Sequence, residues 1–266
     1  MTKRVISAVV MIALFIPFFI LGGWTFTVLM TVLSVMGLYE LLHIRESKKS
    51  FPKLMKIIAY LMVVFFTTLN SSSSDFSYNI SYKVVSIILF TFVVPMVFIN
   101  DSKKYNLNDA LFLVGSILFV GLSFNLLLVT RNISISYIIY LFLITTITDT
   151  FALFTGMLVG KHKLAPEISP KKTIEGAIGG TLMGTIAASA FYTTVINPAT
   201  PLVLVILLTA LLSGIGQIGD LAFSSIKRYY GVKDFSNLIP GHGGILDRFD
   251  SIVFVTMAFV VIFGIL

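Results

Sequence analysis

The sequence predicts an all-α, polytopic membrane protein, and three observations carry that expectation. Of its 266 residues 57% are hydrophobic and only 12% charged, whereas soluble domains hold about a quarter charged residues. Apolar runs of about 20 residues, the length that crosses a bilayer's hydrocarbon as a helix, fill most of the chain. Nearly all the basic residues fall in alternate connections between those runs.

Hydropathy places about nine spans, over 5–22, 24–42, 54–70, 82–100, 110–129, 134–157, 174–196, 201–223 and 250–266. The first opens with Lys3 and Arg4, as a secretory leader does. No small-residue cleavage motif follows, and a new apolar run starts at Trp24, so it reads as an uncleaved span that Pro17 is placed to bend. The second ends at Glu40, a carboxylate that is either structural or site-lining. The polar run 70–75, NSSSSD, reads as a flexible external loop. With the N-terminus inside, the inner segments carry 17 of the 19 lysines and arginines, and Lys83 and Arg131 fall outside. This is the positive-inside pattern; it predicts a cytoplasmic N-terminus in the cell's inner (plasma) membrane. Residues 1–266 are expected to form a single membrane domain, with scaffold helices in 1–133 and the catalytic helices and cytoplasmic loops in 134–266.

The net charge of +7 is therefore a topology signal that also suits an anionic leaflet, and nucleic acid is not an expected partner. With no cysteine, disulfides, thiolate chemistry and cysteine-ligated metals are excluded. His43, His162 and His242 are too scattered for a His-rich metal site.

Three clusters on the inner side exceed what topology needs. In the eighth span and its extension, Ser213, Gln217, Asp220, Ser224 and Lys227 follow a 4-3-4-3 spacing that aligns them on one helical stripe. A carboxylate at the edge of hydrocarbon faces protein, water or an ion, so Asp220 is a candidate ligand; the bland alternative pairs it with Lys227 or Arg228. The second cluster, GHGGILDRFD over 241–250, combines glycines suited to close backbone approach with Asp247 and Asp250 at the start of the last helix, where acidic groups suit the dipole. The third runs from Asp149, deep in the sixth span among Thr145, Thr148, Ala152, Thr155 and Gly156, to Glu175. There Ser169 and Pro170 predict an N-cap and first helical residue, which would set Lys171, Lys172 and Thr173 at a helix N-terminus, a phosphate cradle; enforcing topology is the competing reading. Gly176, Gly180 and Gly184 are expected to permit close helix packing.

Carboxylates without thiols or clustered imidazoles favour a hard, oxygen-ligated cation, most simply Mg²⁺. Such an ion beside Lys, Arg and glycine-rich backbone equips a site for phosphoryl or nucleotidyl transfer.

The motif Ser224, Lys227, Arg228, Lys233, Asp234, His242, Gly243, Gly244, Asp247, Arg248 and Asp250 resembles the signature of the bacterial CDP-diacylglycerol synthases (phosphatidate cytidylyltransferases). Asp149 to Gly176, with Ser169-Pro170-Lys171-Lys172-Thr173 and Glu175, is similar to that family's second motif. In one departure, Phe223 stands where members commonly carry Glu. The resemblance implies a transferase of phospholipid biosynthesis converting CTP and phosphatidate to CDP-diacylglycerol and pyrophosphate. It implies Mg²⁺, with a second cation such as K⁺, and a homodimer to which 1–133 would contribute. By the same resemblance Asp220 and Asp247 would be the main metal ligands, with Asp250 and Asp149 in or near the shell. Lys227 and Arg228 would neutralise phosphate charge, and Ser224 would donate to phosphate or ligate metal. Arg248, Lys171 and Lys172, with Thr173, would take the CTP tail or the lipid phosphate; Lys233, Asp234, His242, Gly243 and Gly244 complete the substrate-binding set, His242 orienting phosphate or shaping a turn. The competing readings are a related enzyme, either a CTP-dependent polyprenol kinase or a synthase for a different lipid, and, outside enzymes, a structural membrane scaffold, which would leave the clusters unexplained, or a transporter with intramembrane ion sites at Asp149 and Asp220. The transporter predicts repeated, interrupted spans in both halves, and the sequence shows no such repeat.

Overall fold

The computed structural model describes residues 13, 15–69, 71–76, 82–99, 101, 103–239, 241 and 243–263. Half of the first expected span, together with Lys3 and Arg4, lies outside the described residues, as does His242. The chain divides into two compact units, Met1–Val129 and Thr130–Leu266.

In the first unit, α1 (Gly23–Glu46) follows Gly22 and opens on Gly23, both of positive φ, a backbone that side-chain-bearing residues rarely adopt. Its last turn holds His43 and Arg45, which suit the negative end of the helix. The second helix, α2 (Lys53–Thr68), starts after Pro52. Over 82–100, expected as one span, the helix is interrupted: α3 (Tyr82–Val93) stops at a turn on Val94, and α4 (Pro95–Ile99) begins at proline. The missing N–H and the ring of Pro95 act against continuing the preceding turn. The long α5 (Leu107–Ile133) opens on a reciprocal cap, Asn106 Oδ1 accepting from Asp109 N and Asp109 Oδ2 from Asn106 N, both at 3.1 Å. The same buried Asp109 carboxylate binds Arg45 Nη2 at 2.7 Å and Lys49 Nζ, tying the loop after α1 to the start of α5. Glu40 is fully buried within α1, which favours its structural reading.

The second unit contains the expected clusters. Ser134 caps α6 (Ile135–Val159) by accepting from Ser136 N. The next segment corrects the sequence expectation. Ser169–Thr173 is not the first turn of a helix but a strand, β2, paired antiparallel with β1 (Lys163–Ala165), with Lys163 opposite Thr173 and Ala165 opposite Ser169. Pairing with Lys163–Ala165 satisfies this backbone locally, and the N-cap moves to Thr173, whose Oγ1 accepts from Gly176 N at 3.1 Å. Lys171 and Lys172 therefore project from a hairpin.

From there α7 (Ile174–Phe191) runs into a π-helical turn (Tyr192–Ile196), and α8 (Leu202–Tyr229) follows Pro201. The last helix is α9 (Leu246–Ile262). The contact of α6 with α7 depends on glycine: a Cβ on Gly176 would lie 2.6 Å from Ala152 O, and one on Gly180 2.5 Å from Thr148 O. The expected packing role of these glycines is what the structure shows. Buried hydroxyl pairs stitch α6 to α8, Tyr140 with Thr209 and Thr148 with Ser213, each at 2.7 Å. Gly180→Val is expected to destabilise the protein by about 1–3 kcal/mol or more, because backbone cannot yield to the added methyls. Gly214→Ala, where a Cβ meets nothing within 4 Å, should leave the thermal midpoint unchanged. Equal midpoints for the two variants in detergent would remove the close-packing explanation.

Among the described residues, five helices are long and apolar enough to cross a membrane: α1, α5, α6, α8, and α7 together with its π turn.

Candidate active site

A cavity of about 720 Å³ lies within the second unit, where α6, the β hairpin, α7, α8 and the start of α9 converge. The face of α6 that carries Asp149 supplies one wall. From the hairpin come Lys163, Lys171, Lys172 and Thr173; from α8 come Gln217, Asp220 and Lys227. The connection after α8 and the first turns of α9 add Asp234, Asp247, Arg248 and Asp250.

Ten of the predicted site residues thus face one space, and the helical stripe on α8 accounts for the order of three of its lining groups. Lys172 Nζ meets Asp220 Oδ2 at 2.5 Å, so the partner of Asp220 is on the hairpin and is neither Lys227 nor Arg228. Ser224 donates to Asp220 Oδ1 at 3.3 Å and braces that carboxylate from one turn further along α8. Gln217 donates its amide protons to Ala177 O at 3.2 Å and Thr181 Oγ1 at 2.8 Å, locking α8 to α7 at the cavity wall.

Asp247 is the most heavily bonded of the acids. Its Oδ1 accepts from Lys227 Nζ at 2.6 Å, and its Oδ2 accepts from Phe235 N at 2.9 Å and Gly244 N at 2.8 Å. Lys227 and Asp247 are 9% and 3% exposed, so the pair is withdrawn from solvent. Gly243 has φ +81°, and a Cβ there would approach Asp247 Oδ2 to 2.8 Å; glycine is required on both counts. The loop therefore folds around this carboxylate, which also sits in the first turn of α9, where negative charge is favoured.

Other predicted residues stand apart from the lining. Arg228 donates from Nε to Ile168 O at 3.2 Å and from Nη1 to Val232 O at 2.9 Å, joining the hairpin turn to the loop after α8. Lys233 and Gly244 are outside the lining, and Gly244 contributes its N–H to Asp247. Sequence reasoning passed over Lys163, counted only as an inner positive charge, and Phe235, whose ring centroid lies 5.4 Å from Lys227 Nζ. Phe223 is fully buried, edge-on to Phe235 at 5.6 Å and to Phe254 at 6.1 Å.

The acids fit a hard cation in kind: every candidate ligand is a carboxylate oxygen. Asp149, Asp220 and Asp250 line the same cavity, a gathering of acids that a cation would offset. Among the described residues no three acidic or histidine side chains converge to hold an ion by themselves. Mg²⁺ does not require such a cage, since it commonly takes one or two carboxylates and completes its shell with water and substrate phosphates.

Long apolar helices around a cavity of opposed acids and bases mark a multi-pass membrane protein. The match to known sequences is specific. A profile of the cytidylyltransferase family covers residues 2–266, and the chain belongs to that family. It is 38% identical over 258 residues to the phosphatidate cytidylyltransferase of Staphylococcus haemolyticus (strain JCSC1435). It is 36% identical over 257 residues to that of Staphylococcus saprophyticus and 37% over 257 to that of Staphylococcus aureus (strain COL). Each alignment covers 96% of both chains.

Proposed function

We propose that this protein is a phosphatidate cytidylyltransferase, a nucleotidyltransferase that forms CDP-diacylglycerol and pyrophosphate from CTP and phosphatidate. The observation that carries the reading is near-complete alignment with proteins of that name, joined to one cavity that gathers acidic and basic groups from three helices, a hairpin and the loop after α8.

A phosphate oxygen of phosphatidate attacks the α-phosphorus of CTP in line; the new P–O bond forms as the bond from the α-phosphorus to its bridging oxygen breaks, and pyrophosphate leaves. A phosphomonoester has its second pKa near 6, so the nucleophile is already largely dianionic at neutral pH and needs little general-base help. The main barrier is bringing two polyanions together. Lys171, Lys172, Lys163 and Arg248 supply positive charge around the cavity, and Lys227 adds an ammonium held by Asp247. Mg²⁺, bound through Asp220 with Asp149 and Asp250 nearby, would neutralise phosphate charge and orient the phosphates. Asp247 acts first as the organiser of the loop, with any metal contact second. Thr173, Lys233, Asp234, His242, Gly243 and Gly244 complete the substrate site in this reading, and Ser224 and Arg228 support it from behind. A second cation such as K⁺, nine spans with a cytoplasmic N-terminus and site, a single membrane domain and a homodimer belong to the same proposal.

Purified protein is incubated with phosphatidate and CTP labelled at the α-phosphorus, with and without Mg²⁺. Metal-dependent label in the lipid fraction with release of pyrophosphate is the expected result. Transfer of γ-label to a lipid alcohol instead would replace this reading with a lipid kinase.

A further inference from the structure

We propose that Phe235 is a positioning residue for the reaction: its ring face steadies the Lys227 ammonium toward the cavity, and its backbone N–H fixes the carboxylate that partners that ammonium. The inference rests on the cytidylyl-transfer reading above and assigns work to a residue outside the cavity lining.

Lys227 has three N–H donors and no acceptor. One donor reaches Asp247 Oδ1 at 2.6 Å. The Phe235 ring centroid stands 5.4 Å from Nζ, within the range of a cation–π contact. Lys227 also lines the cavity, so the residue borders the space a ligand would fill. An aromatic face attracts a cation through its quadrupole without carrying a net negative charge. The Lys227 positive charge is therefore held in place and still offered to a phosphate, where a second carboxylate would cancel it.

The same residue acts on the other half of the pair. Phe235 N donates to Asp247 Oδ2 at 2.9 Å, on the oxygen opposite the one that Lys227 holds. Ring and amide of one residue thus address the cation and the anion of a pair that is almost wholly withdrawn from solvent. The ring cannot drift, because Phe235 is 1% exposed and braced edge-on by Phe223, itself edge-on to Phe254 of α9. Three aromatic side chains thereby join α8, the loop and α9 behind the ion pair. Phe223, which departs from the Glu that the resemblance leads one to expect, has its place here as the brace.

A residue that merely filled volume would be indifferent to the electron density of its ring, and that difference is measurable. In the full-length protein, Phe235 is replaced by mono-, di- and trifluorophenylalanine, which preserve shape while draining the ring face. The kcat for α-label transfer, the KM for CTP and the thermal midpoint are followed. The expected result is a stepwise fall in kcat, about three- to tenfold across the series, at constant thermal midpoint. Phe235→Leu, which keeps apolar bulk and the backbone N–H, should lose at least as much as the trifluoro variant. A flat kcat across the fluorinated series, with normal transfer by the unsubstituted protein, overturns the proposal. Should Phe235→Leu fail to fold, the fluorinated series still decides. Absence of transfer by the unsubstituted protein overturns the reading on which the proposal rests, and the proposal with it.

Discussion

Asp220→Asn is expected to lower cytidylyl transfer by about two to three orders of magnitude while leaving the protein folded. The substitution keeps the volume and one acceptor oxygen for Ser224 but removes the charge that meets Lys172 at 2.5 Å. Both partners are about a quarter exposed at the cavity wall, so Lys172 stays hydrated when its partner is neutralised and the stability change should be small. The loss in rate comes from elsewhere. Asp220 lines the cavity with Asp149 and Asp250, and removing its charge takes away an anionic contribution to any Mg²⁺ that the site holds. Three measurements separate these effects: α-label transfer, the thermal midpoint in detergent, and Mn²⁺ binding followed by its electron spin resonance. Near-normal transfer by a folded Asp220→Asn protein would end the metal-site assignment for this residue. Weakened Mn²⁺ binding at an unchanged midpoint would support it independently of activity.

Asp247→Ala is expected to behave differently, losing stability together with activity. It strands the Lys227 ammonium in a buried place and leaves the N–H groups of Phe235 and Gly244 without their acceptor. Breaking a buried pair from one side costs about 3–5 kcal/mol, enough to lower the midpoint by many degrees. The double variant Lys227→Met with Asp247→Leu removes both charges. It should recover much of that stability, since no uncompensated ion remains, yet it should transfer no label. A midpoint for Asp247→Ala equal to that of the unsubstituted protein would show that the loop does not depend on this carboxylate. Near-normal activity in Asp247→Asn would remove it from the metal's ligands as well.

The contrast between these two acids shows how far the sequence could be read. Both were assigned as main metal ligands through one motif resemblance, and both line the cavity. A motif carries residue identity and spacing, but not the number of hydrogen bonds a carboxylate already accepts. Asp247 accepts from two backbone N–H groups as well as from Lys227, whereas among the described residues Asp220 meets only the side chains of Ser224 and Lys172. The difference arises because the N–H groups of Phe235 and Gly244, on the connection before α9, both point at Asp247. Arg228 illustrates the same limit. It sits next to Lys227 in the motif, but one residue along a helix turns a side chain by about 100°, and its guanidinium ends on two backbone carbonyls away from the cavity lining. Ser169-Pro170 is a good local signal for a helix start. The strand pairing that displaced it is set by residues several positions away, Lys163 to Ala165.

The sequence by itself determined the membrane character, the helical class, the concentration of acidic and basic clusters in the second half of the chain, the glycine contact of α7 with α6 and the family. These follow from quantities that add along the chain, namely hydropathy, charge, residue spacing and motif identity. Tertiary structure alone decided that Lys172 meets Asp220, that Lys227 and Asp247 are buried together beneath Phe235, and that Phe223 braces that ring. Each of these pairings joins separate elements, and its strength depends on distance, burial and the direction of approach. Such quantities exist only once the helices have chosen their neighbours.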